Sequence, residues 1–136
     1  MIYVDTSLII SYMDLKDPNH RRAEKIIDNI SSEKKVVSML VLVELASVYS
    51  RAGLEKPLEL ALYSLELIGA EVAEVDYNEA LKRAFKMAPA LNMRTLDLLH
   101  IIVCSLIKAD EFATLDQEII RKSNIISEAL GIRVST

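Results

Sequence analysis

"TLDLLHIIVCSLIKADEFATLD", residues 95–116, decides how this chain is to be read. Residues 98–107 carry no formal charge when His100 is neutral, and Thr95 stands where a helix N-cap belongs, so the first half reads as a buried helix. "EFATL" at 111–115 reads as a short strand, with Asp116 directly behind it. One acid, Asp97, is carried into the start of the apolar helix. An ionised carboxylate in such a place costs several kcal/mol unless something positive compensates it. The first turn of a helix supplies part of that compensation through its dipole and free N–H groups. The tripeptide "TLD" recurs at 114–116, again with an acid behind an apolar stretch.

Working outward, the same alternation runs through the chain. "IYV" at 2–4 is a strand ending at Asp5, and Thr6 and Ser7 are placed to cap the helix "LIISYM". Asp17 at an N-cap and Pro18 at N1 open a helix that continues through "RRAEKIIDNI". "VVS" at 36–38 is a second strand, followed by a helix over "MLVLVELASVYSRAG" that Gly53 closes. Lys56–Pro57 opens another helix, stopped by Gly69, and "EVAEV" at 71–75 is a third strand. Asp76 caps a helix to about Met87, and Pro89 and Asn92 mark a loop before Thr95. Asp116 leads into a last helical stretch ending at Gly131, with "IRV" at 132–134 as a fifth strand. Strands alternating with helices, often two per crossover, predict a single α/β domain over 1–136 with a parallel sheet of four to five strands.

In an open parallel sheet, ligands bind beyond the carboxyl ends of the strands, at the point where strand order reverses. Asp5 ends the first strand and Asp116 the fourth, so they converge if those strands are neighbours there. Glu44 is a lone acid inside the apolar "MLVLVELA", on the helix after the strand expected to pair with the first. Three or four carboxylates in reach of one another repel unless a multivalent cation binds. Oxygen-only ligands suit a hard ion, Mg²⁺ or Mn²⁺. Each acid also has an ordinary explanation: Asp97 as a dipole partner, Asp116 as an N-cap, Glu44 as a solvated helix residue. What those explanations leave over is that one topology can gather all four. His100 reads as a core histidine with satisfied nitrogens, three residues from Asp97, and Cys104 as core.

The composition agrees with one compact domain. Its 136 residues are 51% hydrophobic, with three glycines and three prolines. Sixteen basic against 20 acidic residues give a net charge of −4, which excludes a strongly basic nucleic-acid coat. A single cysteine rules out an intrachain disulfide, and no Cys/His cluster has zinc spacing. Ten uncharged residues are too few to span a bilayer, and the expectation is a soluble cytoplasmic protein.

In order and spacing, "YVDTSLIISYM", "HRRAEKII", "SMLVLVELASV", "TLDLLHIIVCSLIKADEFATLDQEI" and "ALGIRV" resemble a PIN domain, and more closely the VapC-type toxins of prokaryotic toxin–antitoxin pairs. The resemblance covers nearly the whole chain and rests on the ordered set "DTS", "VEL", "LDLLH" and "TLD". It implies a three-layer α/β/α fold with sheet order 3-2-1-4-5, and metal-dependent endoribonuclease activity on RNA. It places the acidic site on Asp5, Glu44, Asp97 and Asp116, with Thr6 or Ser7 and Thr114 as supporting hydroxyls. Asp5, Asp97 and Asp116 would be metal ligands, and Glu44 a ligand or a base orienting water. Homodimers and a small inhibitory antitoxin are also implied, with exposed apolar surface expected on the first two helices and on the helix at 57–68. Where members often carry one more acid after the last, Gln117 and Glu118 follow here. The rival from another class is a PIN-fold scaffold that binds RNA or a protein partner without cutting.

Overall fold

The computed structural model describes residues 1–136. Five strands, β1 (Ile2–Val4), β2 (Lys35–Val37), β3 (Ala70–Val72), β4 (Glu111–Ala113) and β5 (Arg133–Ser135), form one parallel sheet in the order β3-β2-β1-β4-β5. Two helices lie in every crossover: α1 (Thr6–Met13) and α2 (His20–Asn29), α3 (Met39–Arg51) and α4 (Pro57–Ile68), α5 (Tyr77–Leu91) and α6 (Thr95–Ile107), α7 (Gln117–Arg121) and α8 (Ser123–Leu130). Right-handed crossovers put α1–α4 on one face, because β1, β2 and β3 step in one direction, and α5–α8 on the other. The packing agrees: α1 meets α2, α3 and α4, while α5 meets α6 and α8. The result is the expected three-layer α/β/α arrangement.

β1 sits at the centre because it is apolar and fully buried, with Tyr3 and Val4 at zero exposure. Tyr3 stacks on Phe112 of the neighbouring strand, ring centroids 5.3 Å apart. Helix α6 supplies the opposing layer, burying Leu98 and the run Ile101 to Cys104 against the sheet. No single helix is long and apolar enough to cross a membrane.

Several boundaries move by one turn or less from the sequence reading, each for a local reason. Helix α1 starts at Thr6, so Asp5 is its N-cap, and Thr6 and Ser7 are released for other contacts. Asp17 accepts a hydrogen bond from the Asn19 N–H at 2.7 Å, making a turn before α2 rather than capping it. Strand β2 begins at Lys35, whose side chain is buried because its ammonium donates to the carbonyls of Ile30, Ser31 and Glu33. Ser38 is thereby left as the residue before α3. Helix α5 runs past Met87 and takes Pro89 into its last turns, and Asn92, at φ 50°, closes it in the left-handed region. The final helical stretch is two helices broken at Lys122.

Candidate active site

The β1/β4 boundary is where strand order reverses, and all four candidate acids stand at that edge of the sheet or on helices that start beside it. Asp5 follows β1 and caps α1, and Asp116 follows β4 and caps α7, accepting from the Glu118 N–H at 2.9 Å. Asp97 lies in the first turn of α6, and Glu44 in the middle of α3.

Hydroxyl and guanidinium groups join the four into one chain. Asp5 is buried and accepts three hydrogen bonds: from the Thr6 N–H at 2.9 Å, the Thr114 hydroxyl at 2.7 Å and the Ser7 hydroxyl at 3.2 Å. The Thr6 hydroxyl donates to Glu44 Oε1 at 2.8 Å, so one residue tethers both acids. Thr114 Oγ1 accepts the Asp116 N–H at 2.9 Å, tying the first acid to the fourth. Arg94 donates to Asp97 Oδ2 at 3.3 Å and reaches Asp116 Oδ2 at 3.7 Å. Thr6, Ser7 and Thr114 each hydrogen-bond Asp5, and Thr6 also bonds Glu44. No three carboxylate or imidazole groups close into one coordination sphere as the side chains stand.

His100 is buried and satisfied, as a core histidine should be, but its partners make it part of the site. Its Nε2 contacts Glu44 Oε1 in a short hydrogen bond, and its Nδ1 lies 2.8 Å from the Tyr3 hydroxyl. Tyr3 in turn meets Ser38 Oγ at 2.6 Å. A neutral imidazole donates from Nε2 to Glu44 and accepts at Nδ1 from Tyr3, which accepts from Ser38. On protonation Nδ1 donates, and Tyr3 turns its proton to Ser38. Both states leave every member paired. The sequence sets His100 three residues after Asp97, and its two hydrogen bonds go to Glu44 and Tyr3. Tyr3, Ser38 and Arg94 were not singled out at all. Only Arg94 had a readable signal, an arginine three residues before an acid on a helix.

The electrostatics follow from burial and neighbours. Burial pushes the Asp5 carboxyl above its ordinary range; His100 and Thr114 pull it back, and the charge of Glu44 raises it further. Burial also raises Asp97, reinforced by the charge of Asp116 and opposed by Arg94. Burial alone would raise Glu44, but the hydrogen bond and charge of His100, with Thr6, outweigh it and hold the carboxyl low. For His100 burial is likewise outweighed, by Glu44 and Asp5, and the imidazole is raised.

These shifts fix a sign for metal-free stability. A carboxyl raised on folding, as Asp5 and Asp97 are, contributes stability at low pH that is lost as pH rises through the folded value. An imidazole raised on folding contributes fully below its ordinary value of about 6.5 and loses that contribution as pH passes the folded value. Glu44, held low, acts oppositely, but only below the ordinary glutamate range. In EDTA the domain is therefore expected to melt higher at about pH 6 than at about pH 8.5. Melting curves across that window check it, and a rise in melting temperature toward pH 8.5 would show that Glu44 and Asp5 do not hold the His100 imidazole above its ordinary value.

Hard oxygen donors, two acids that repel across a short gap, and an arginine lodged between them as a stand-in cation all fit a divalent ion. The PIN-domain sequence model matches residues 2–125, and the chain belongs to the PIN-domain family. Several solved structures share the fold. They include VapC20 of Mycobacterium tuberculosis, a sarcin–ricin-loop-cleaving toxin (TM-score 0.69, 15% identity, covering 98% of this chain and 99% of that one). VapBC2 of Rickettsia felis, bound to a fragment of promoter DNA, matches at TM-score 0.66 and 17% identity over 99% and 98% of the two chains. VapBC-1 of nontypeable Haemophilus influenzae matches at TM-score 0.66 and 19% identity over 99% and 97%. Among curated proteins none matches.

Proposed function

We propose that this chain is a divalent-metal-dependent endoribonuclease and the toxin of a toxin–antitoxin pair. The observation that carries the reading is the tethered line Glu44–Thr6–Asp5–Thr114–Asp116–Arg94–Asp97 at the switch point of the sheet. Asp5, Asp97 and Asp116 would hold Mg²⁺ or Mn²⁺. The ion would supply polarisation of a phosphoryl oxygen and a more acidic attacking water. Glu44 has both its protein hydrogen bonds on Oε1, so Oε2 is left without a protein partner and can orient water. Thr6 and His100 fix that carboxylate from two sides. A PIN-fold scaffold without catalysis would have to carry the buried, repelling acids for no return.

An antitoxin partner accords with the VapBC neighbours, and exposed apolar side chains offer surface for it or for a homodimer. Leu58, Leu62, Tyr63 and Leu67 stand out on α4, with Met39 and Val43 on α3. On the first two helices and the turn between them the large exposed apolar residue is Leu15 alone, so the surface expected there falls mainly on α3 and α4.

The test is cleavage of RNA with Mn²⁺ and with EDTA, run beside melting curves. At a free ion concentration 100 times its Kd, binding stabilises the fold by about 2.7 kcal/mol. Asp116→Asn should lose most of that gain. In EDTA it should melt at or above wild type, because asparagine keeps the N-cap bond while the charge beside Asp97 is gone. Cleavage that persists in EDTA, or equal Mn²⁺ shifts in both proteins, would overturn the reading.

A further inference from the structure

Beside the acids lies a cleft of about 80 Å³, lined by Asn92, Met93, Arg94, Asp97, Glu118 and Lys122. It holds two cationic side chains with different commitments. Arg94 is 72% exposed, bridges Asp97 and Asp116, and is the one cation lying between two carboxylates of the proposed site. Lys122 makes no ion pair, since the acid nearest it in sequence on this wall, Glu118, is paired with Arg121. An exposed arginine held by two carboxylate contacts is weakly fixed, because such pairs contribute little against solvent and side-chain entropy. A divalent ion placed on Asp97 and Asp116 would compete for the same oxygens that hold it.

We propose that Arg94 is a two-position residue: without metal it bridges Asp97 and Asp116, and a divalent ion on those acids releases it to clamp a phosphate group in the adjoining cleft with Lys122. The inference rests on the metal-site reading given above. A guanidinium presents a planar fork that matches two phosphate oxygens, and an ammonium adds a point charge. Metal loading thus creates a phosphate site without any movement of the backbone. The ligand class is a phosphomonoester or phosphodiester, and Arg94 is a substrate-positioning residue that touches no bond being broken.

Calorimetry with Mn²⁺ alone and then adenosine 5′-monophosphate as the phosphate probe tests it, on wild type, Arg94→Gln, Lys122→Gln and the remote control Arg83→Gln. Arg94→Gln should bind Mn²⁺ tighter by about threefold to fivefold, the range of an exposed ion pair removed from competition. The same variant should bind the nucleotide in Mn²⁺ several-fold more weakly. Lys122→Gln should weaken only the nucleotide, Arg83→Gln neither, and Arg94→Lys should restore nucleotide binding in part. Wild type in EDTA should bind the nucleotide more weakly than in Mn²⁺. Unchanged Mn²⁺ affinity in Arg94→Gln, or tighter Mn²⁺ with unchanged nucleotide affinity, overturns the proposal while leaving the metal site standing. No Mn²⁺ binding by any of the four proteins overturns both.

Discussion

Asp5→Asn is expected to give a folded domain that no longer cuts RNA, with a loss on the order of a thousandfold, or about 4 kcal/mol of transition-state stabilisation. The substitution keeps the side chain's size and changes its acceptor set. Three donors converge on the carboxylate, and two are hydroxyls whose protons are already committed. Thr114 Oγ1 accepts from the Asp116 N–H and Ser7 Oγ from the Leu115 N–H at 3.3 Å, and both hydroxyls donate to the ionised Asp5 Oδ2 while lying 3.3 Å from each other. An amide NH₂ at that position meets donors with a donor. Against this cost stands the relief of a buried charge that burial and Glu44 make unfavourable. The two oppose each other, and net stability in EDTA should change by about 1 kcal/mol or less. Gel assays of RNA cleavage in Mn²⁺, paired with melting curves, separate the two readouts. Equal cleavage by variant and wild type would remove Asp5 from the site.

The second large effect belongs to His100. Truncation by His100→Ala leaves a cavity in a fully packed region, strips Glu44 of its firmest partner and leaves Tyr3 with Ser38 alone. About 3 kcal/mol of stability should be lost, which for a domain of this size lowers the melting temperature by roughly 10 °C. Cleavage, measured well below that melting point, should fall by about 10- to 100-fold, the usual cost of losing a group that orients a metal-site carboxylate. His100→Gln keeps a donor toward Glu44 and should recover part of the activity with less of the stability. If His100→Ala is destabilised yet cuts at the wild-type rate, the imidazole is core packing and nothing more.

The fold was readable because its signals are local and repeated. Apolar runs ending in an acid or a cap residue mark each strand-to-helix junction, and Gly53, Gly69 and Gly131 mark helix ends with positive φ. What was not readable depends on contacts between distant residues. Lys35 looks like a residue outside a strand, and is buried in one because the turn after α2 offers carbonyls to its ammonium. Pro89 looks like a stop, yet α5 holds on until Asn92. Asp5, Asp97 and Asp116 could be placed from strand ends and a helix start, whereas Glu44 was marked only by its apolar neighbours. The Ser38–Tyr3–His100 line joins β1, the start of α3 and α6 and leaves no pattern in the chain, since tyrosine in a strand and serine after one are ordinary residues.

Parallel pairing at the centre of the sheet also has a consequence for synthesis. Strand β1 is made first, but it is flanked by β2 and β4, and Asp5 is held by Thr114, 109 residues later in the chain. Contacts so far apart in sequence form late, after the intervening chain has been ordered. A growing polypeptide that lacks residues 111–116 has no partner for one side of β1, no Thr114 hydroxyl for Asp5 and no fourth acid. If the finished domain cuts RNA as proposed, a chain still short of β4 would lack the assembled site and with it that activity.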